Sequence, residues 1–175
     1  EELASLAMLD ALTGLPNRRC VTEELNRVIA HCCRTREWVL VGFIDLDDFK
    51  QINDQFGHEA GDSLMRILAE QLSEALRGSD MLARFGGDEF VMVGIGPQLQ
   101  ENGDAVLEDL RNRLFSASIA SVELSDGSKI DYAGASVGMV CLVPDNTDVD
   151  DALQKADAAM YKVKASRKQL EVVAT

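Results

Sequence analysis

Residues 81–95 read Met-Leu-Ala-Arg-Phe-Gly-Gly-Asp-Glu-Phe-Val-Met-Val-Gly-Ile, two apolar, strand-like runs on either side of the pair Gly86-Gly87. This pattern commits the middle of the chain to a β-hairpin. Paired glycines supply the positive φ angles that tight turns demand, and without Cβ atoms they let a bulky ligand approach the backbone. Asp88 and Glu89 follow at once, so two carboxylates are expected at the lip of a sheet. There they suit a hard divalent cation such as Mg²⁺, which takes oxygen ligands and commonly shares them with phosphates. An ordinary glycine hairpin with solvated acids explains the same five residues, so the rest of the chain has to decide.

Residues 38–44, Trp-Val-Leu-Val-Gly-Phe-Ile, form a continuous apolar run, as expected of a central strand buried on both faces. It ends in Asp45-Leu46-Asp47-Asp48. Ligand sites in sheets favour strand ends, where the rigid sheet holds side chains beside an open crevice, and this makes Asp45 the leading metal ligand. Acids that merely terminate a strand are the alternative.

Helical periodicity appears four times. Val21, Leu25, Val28, Ile29 and Cys32 mark a buried face over residues 18–34; Leu64, Ile67, Leu68, Leu72, Ala75 and Leu76 mark the next, closed by Arg77-Gly78. Val106, Leu107, Leu110, Leu114 and Phe115 predict a helix over 104–119, and Leu153, Ala156, Ala159, Met160 and Val163 predict the last one. Residues 1–9 have helical character. Gly14 then suits a helix C-cap and Pro16 the first turn of the next helix, although a plain turn accounts for both. Residues 97–103 read as a loop, and 129–143 as one long strand or two short ones.

At 175 residues and 46% hydrophobic, the chain suits one compact domain. Its net charge of −13 excludes a polynucleotide-binding surface, which would carry a basic stripe. A polyanionic nucleotide would instead need metals or a few well-placed cations. Cys20, Cys32, Cys33 and Cys141 lack zinc spacing, so reduced thiols and an intracellular setting are expected. His31-Cys32-Cys33 reads as helix packing rather than a metal cluster. No run of about 18 apolar residues exists to span a membrane.

Gly86-Gly87-Asp88-Glu89-Phe90 is, letter for letter, the signature of the GGDEF family of diguanylate cyclases, and the resemblance extends from Asp10 to about Gln169. It includes the entry motif at residues 10–18, the segment 49–62, Ala135-Ser-Val-Gly-Met139 in a late core strand and Ala156-Asp-Ala-Ala-Met-Tyr161-Lys-Val-Lys164 in the last helix. The resemblance implies condensation of two GTP into cyclic di-GMP with release of pyrophosphate. Asp88 and Glu89 would be catalytic. Asp45, the Leu46 carbonyl, Asp88 and Glu89 would hold two Mg²⁺ (or Mn²⁺) ions per active site, Gly86 and Gly87 would admit the nucleotide, and Lys164, with Lys50 and Lys168, would meet the triphosphate.

Asn53 can offer its amide to the base, and Asp62 can accept from the guanine N1–H and exocyclic amine, a pairing adenine cannot satisfy. Asn53-Asp54 as a turn and Asp62 as a helix-start acid are the structural alternatives. His58 reads as a structural strut. Arg77-x-x-Asp80 resembles the family's inhibitory product site, and a charged helix terminus is the alternative. Arg111 or Arg113 would reach a neighbouring molecule's site, with nothing to choose between them. The chain departs from the family after Lys164: Arg167-Lys168-Gln169 stands where Gly-Arg-Asn is usual, so a bidentate fork becomes a point charge at Lys168, with Arg167 placed to compensate.

The expected architecture is α+β, a ferredoxin-like βαββαβ plait of the nucleotide-cyclase (palm-like) kind. Its central antiparallel sheet is flanked by helices, with an added N-terminal helix and a ligand on one side of the central strands. Residues 10–175 would be a single cyclase domain and 1–9 the end of an upstream signalling helix. Ring closure needs two GTP in line, hence a homodimer. An upstream sensor or dimerisation segment would control that encounter for a cytoplasmic domain, membrane-anchored through a missing N-terminal region in the full-length protein. A silent module that binds GTP or cyclic di-GMP and relays a signal is the second reading. An ATP-using cyclase or polymerase-like enzyme is the third.

Overall fold

The computed structural model describes residues 7–174, the last three by backbone alone. At its centre is β1 (Glu37–Asp45), whose residues from Val39 onward are all buried. It pairs antiparallel on one side with β3 (Glu89–Gln98) and on the other with β6 (Ser136–Leu142), while β2 (Met81–Arg84) pairs with the far side of β3. The sheet order is therefore β2-β3-β1-β6, with every pair antiparallel.

Because side chains alternate across a strand, β1 feeds two separate cores. Leu40 and Ile44 join Phe90 and Met92 on one face, covered by α3 (His58–Glu74) and α4 (Asp104–Ala117) through Leu64, Leu68, Leu72, Leu110 and Leu114. Val39, Val41 and Phe43 join Val91 and Val93 on the other, covered by α1 (Arg18–Thr35) and α5 (Val149–Ala174) through Leu25, Val28, Ala156 and Met160. A strand with helices on both sides has no exposed face, which is why its sequence does not alternate. The α+β plait with a central antiparallel sheet flanked by helices is thus the observed class. The expectation of a ligand against one side of the central strands fails, since helices cover both faces.

Local details correct several other expectations. Residues 1–6 of the expected leading helix lie outside the described residues, and Leu9 is not helical but bridges Pro16. Gly14 does take a positive φ of 73°, in a turn closed by Asp10 N–H to the Leu15 carbonyl rather than at a helix end. Pro16 stands outside α1, whose N-cap is Asn17 with its side chain accepting from Cys20 N–H. Asn53-Asp54 is not a turn: both lie in α2 (Phe49–Phe56), which Gly57, at φ 92°, breaks from α3. β3 carries Pro97 and runs to Gln98, so the following loop starts later than expected.

The stretch 129–143 resolves into two short strands that belong to different sheets. β5 (Lys129–Tyr132) pairs with β4 (Ala120–Glu123), a strand that the sequence reading did not anticipate just after the helix expected over residues 104–119. This small hairpin lends Val122, Ile130 and Tyr132 to the core beneath α3 and α4. No described helix is long and apolar enough to cross a membrane.

Candidate active site

The hairpin register sets Asp45 opposite Glu89, so the end of β1 and the start of β3 present carboxylates side by side. Asp88 is fixed next to them, because Leu46 N–H donates to its carbonyl at 2.9 Å. The turn over residues 85–88 is closed by Phe85 and Gly86 N–H, both donating to the Glu89 carbonyl at 2.8 and 3.2 Å. Neither Gly86 nor Gly87 takes a positive φ, so the glycines are not there for turn geometry. Space is their contribution. A Cβ on Gly86 would sit 3.0 Å from Glu89 Oε2, and Gly87 faces nothing within 4 Å.

Burial, followed by the negative charges of Asp45, Asp88 and Asp157, raises the Glu89 carboxyl above its ordinary range against a partial offset from Arg18. Oxygen donors with surplus negative charge suit a hard divalent ion. Yet among the described residues no three acidic, His or Cys side chains already converge as a cage. Asp45, 8% exposed, has turned Oδ2 to Lys164 Nζ at 2.6 Å. That bond, partly opposed by burial, raises the Lys164 ammonium above its ordinary value.

The loop after β1 is strapped from three directions. The Asp47 carboxylate accepts from Ser136 Oγ at 2.8 and 3.0 Å and from Arg167 Nε at 2.8 Å, while Tyr132 OH donates to the Asp47 carbonyl at 2.7 Å. The Arg167 guanidinium also lies 5.0 Å from the centre of the Phe115 ring. Arg167 is therefore a strut for this loop. Lys164, Arg167 and Lys168 of α5 line a cavity of about 110 Å³ together with Asp47, Asp48 and Glu171. Lys50 is exposed on α2 and is not among the cavity's lining residues.

α2 and α3 bring the two base-reading candidates to one corner. A Cβ on Gly61 would lie 1.8 Å from Asn53 Oδ1, so only glycine beside Asp62 lets the Asn53 amide pack there. Asp62 is exposed on the first turns of α3.

Away from this lip, Arg77 and Asp80 are engaged with each other. Arg77 Nε and Nη2 donate to Asp80 at 3.1 and 2.9 Å, Arg77 N–H donates at 3.0 Å, and Nη2 also reaches the Ile95 carbonyl at 2.9 Å. Arg111 and Arg113 pair along α4 with Glu108 and Asp109, which leaves the choice between them open.

The sequence reading missed Asp157 and Arg84, and gave Asp10 only as the first residue of the entry motif. Asp157 lies seven residues before Lys164, a spacing that shares a helix face and could have exposed it. Arg84 clamps the entry loop to the turn: Nη1 donates to Asp10 at 3.2 Å and Nη2 to the Gly87 carbonyl at 2.7 Å. No spacing rule links residues 74 positions apart.

A family model described as "Diguanylate cyclase, GGDEF domain" matches residues 7–169. The diguanylate cyclase DgcP of Escherichia coli K12 is 37% identical over 172 residues, 98% of this chain and 49% of that relative, so the chain spans about half its length. The crystal structure of a sensory box/GGDEF family protein from Caulobacter crescentus superposes with a TM-score of 0.82 at 36% identity, over 91% of this chain and 99% of the other. The GGDEF domain of DgcB from the same species, solved in complex with cyclic di-GMP, gives 0.81 at 26% identity, over 91% of each chain.

Proposed function

The chain belongs to the diguanylate cyclase GGDEF domain family, and from that premise we propose that it condenses two GTP into cyclic di-GMP and pyrophosphate. The observation that carries this reading is the lip where Asp45 faces Glu89 beside Asp88, with the Glu89 carboxyl raised by burial and its acidic neighbours. The donor set fits: Asp45, Asp88, Glu89 and the Leu46 carbonyl are hard oxygen ligands for a pair of Mg²⁺ or Mn²⁺ ions. Bound there, the ions would neutralise charge at the α-phosphate and the leaving pyrophosphate and acidify the attacking 3′-hydroxyl.

The chain's own residues do the rest. Gly86 and Gly87 leave the turn open for the nucleotide, and Asn53 and Asp62 select guanine from the α2–α3 corner. Lys164 and Lys168 meet the phosphates at the small cavity, with Lys50 contributing from the first turn of α2. Arg167 keeps Asp47, and through it the Leu46 carbonyl, in place. Each ring closure needs the hydroxyl of one GTP aligned with the α-phosphate of another, so two copies meet about a two-fold axis. A segment beyond this sequence would bring those copies together. We place residues 10–175 as the cytoplasmic catalytic unit and Arg77 with Asp80 as the site where product inhibits.

The test is incubation of the purified chain over a range of concentrations with GTP and Mg²⁺, following cyclic di-GMP and pyrophosphate by chromatography, with ATP in parallel. Product from GTP alone, rising more steeply than protein concentration, is the expected result. No product, even after forced dimerisation of a folded sample that binds GTP or cyclic di-GMP, would leave the silent relay module instead.

A further inference from the structure

The bond between Lys164 and Asp45 occupies a carboxylate that the metal reading above requires. Lys164 Nζ lies 2.6 Å from Asp45 Oδ2, with the Lys164 side chain 30% exposed and that of Asp45 11%. The same lysine lines the cavity shared with Lys168 at the phosphate end. It can therefore serve either partner by turning about its own stem. Lysine suits such a swing: it is a compact charge on four flexible carbons, whereas the Arg167 fork is fixed by Asp47 and stacked on Phe115.

We propose that Lys164 is a tethered stand-in cation that holds Asp45 until a divalent ion takes that carboxylate, and then moves to the nucleotide's triphosphate. This rests on the proposed metal site. The exchange explains why three carboxylates sit at one lip without converging. It also makes metal and nucleotide binding cooperative: the ion has to displace an internal cation, and the nucleotide offers the displaced cation a new partner. Coupling of this kind acts equally in both directions.

The experiment is Mn²⁺ binding without nucleotide, read from the free-ion electron paramagnetic resonance signal, on the unaltered chain, Asp45→Asn, Lys164→Met and Lys168→Met. Asp45→Asn should weaken binding. Lys164→Met should tighten it by roughly fivefold, the upper strength of a partly exposed ion pair, and weaken GTP binding measured with Mn²⁺ present. Lys168→Met removes the same charge one helical turn further on and should change Mn²⁺ affinity less than about twofold. In the unaltered chain, the side-chain NMR signal of Lys164 should move toward that of a free lysine as Mg²⁺ is added, which needs no variant to fold.

An unchanged or weaker Mn²⁺ affinity in Lys164→Met, an equal gain in Lys168→Met, or a stationary Lys164 signal at saturating Mg²⁺ would each overturn the exchange while leaving the metal site standing. An Asp45→Asn variant that binds Mn²⁺ like the unaltered chain would instead remove the metal site, and the exchange with it.

Discussion

Arg77→Ala tests whether the proposed inhibitory site is also a structural staple. The Asp80 side chain is 0% exposed and pressed against the backbone, since a Cβ on Gly94 would lie 2.4 Å from Asp80 Oδ1. The substitution deletes both guanidinium bonds to that carboxylate and the bond to the Ile95 carbonyl, and keeps the one from Arg77 N–H. Stripping the partner from a fully buried charge costs about 3–5 kcal/mol. Here Arg77 is 44% exposed, so water can enter where the guanidinium was, and the remaining N–H bond holds one oxygen. We therefore expect about 2 kcal/mol, equivalent to a Tm lower by roughly 4–8 °C in a domain of this size. Urea and thermal unfolding at neutral pH, with and without cyclic di-GMP, measure both roles: the variant should be less stable and should lose product inhibition. A loss below about 0.5 kcal/mol, the usual size for an innocuous surface change, would refute the staple, and undiminished inhibition by added cyclic di-GMP would refute the site.

Glu89→Gln should abolish turnover and leave the fold intact; undiminished turnover would sink the metal assignment. Because the Glu89 carboxyl is raised in the folded state, its contribution to stability is fully present below the ordinary value and is lost as pH rises through the folded one. Metal-free Glu89→Gln should accordingly melt above the parent chain at neutral pH, with the gap closing toward pH 4.5, and a gap that widens on acidification would contradict this. Gly138→Ala would put a Cβ 2.0 Å from Met160 N and 2.4 Å from Met160 Cα. Backbone cannot rotate away, so the cost should reach the top of the overpacking range, about 3 kcal/mol, with GTP affinity falling as α5 is pushed off β6; a calorimetric loss under about 1 kcal/mol would disprove that packing.

Why some of this was legible in the chain and some was not follows from the range over which residues act. The apolar run of β1 and the three- and four-residue spacing of α1 are local patterns, each tied to the burial of one element. The glycine-acid turn announced a carboxylate lip for the same reason. β4 escaped notice because four residues alternating buried and exposed carry little signal. The left-handed conformations of Arg36 and Asp48 had no glycine to betray them. The straps on the loop after β1 were invisible for another reason: Asp47 and Arg167 are 120 positions apart, and only the assembled sheet brings them together. Arg167, which stands where the family usually has glycine and reads in the sequence only as a neighbour able to compensate for Lys168, is engaged by the acid next to it in space.

The ion pairs that α5 makes with the end of β1 join residues 119 and 120 positions apart. Synthesis runs from the N-terminus, so β1 and the hairpin exist for some time before α5 leaves the ribosome. Until then Asp45 and Asp47 lack the cations that hold them. An interrupted transcript or a nascent chain stalled before residue 164 would carry the signature residues of the lip without the cations of α5 that hold Asp45 and Asp47. Asp45 and Asp47, written early in the chain, are held only once α5 has been made and has docked.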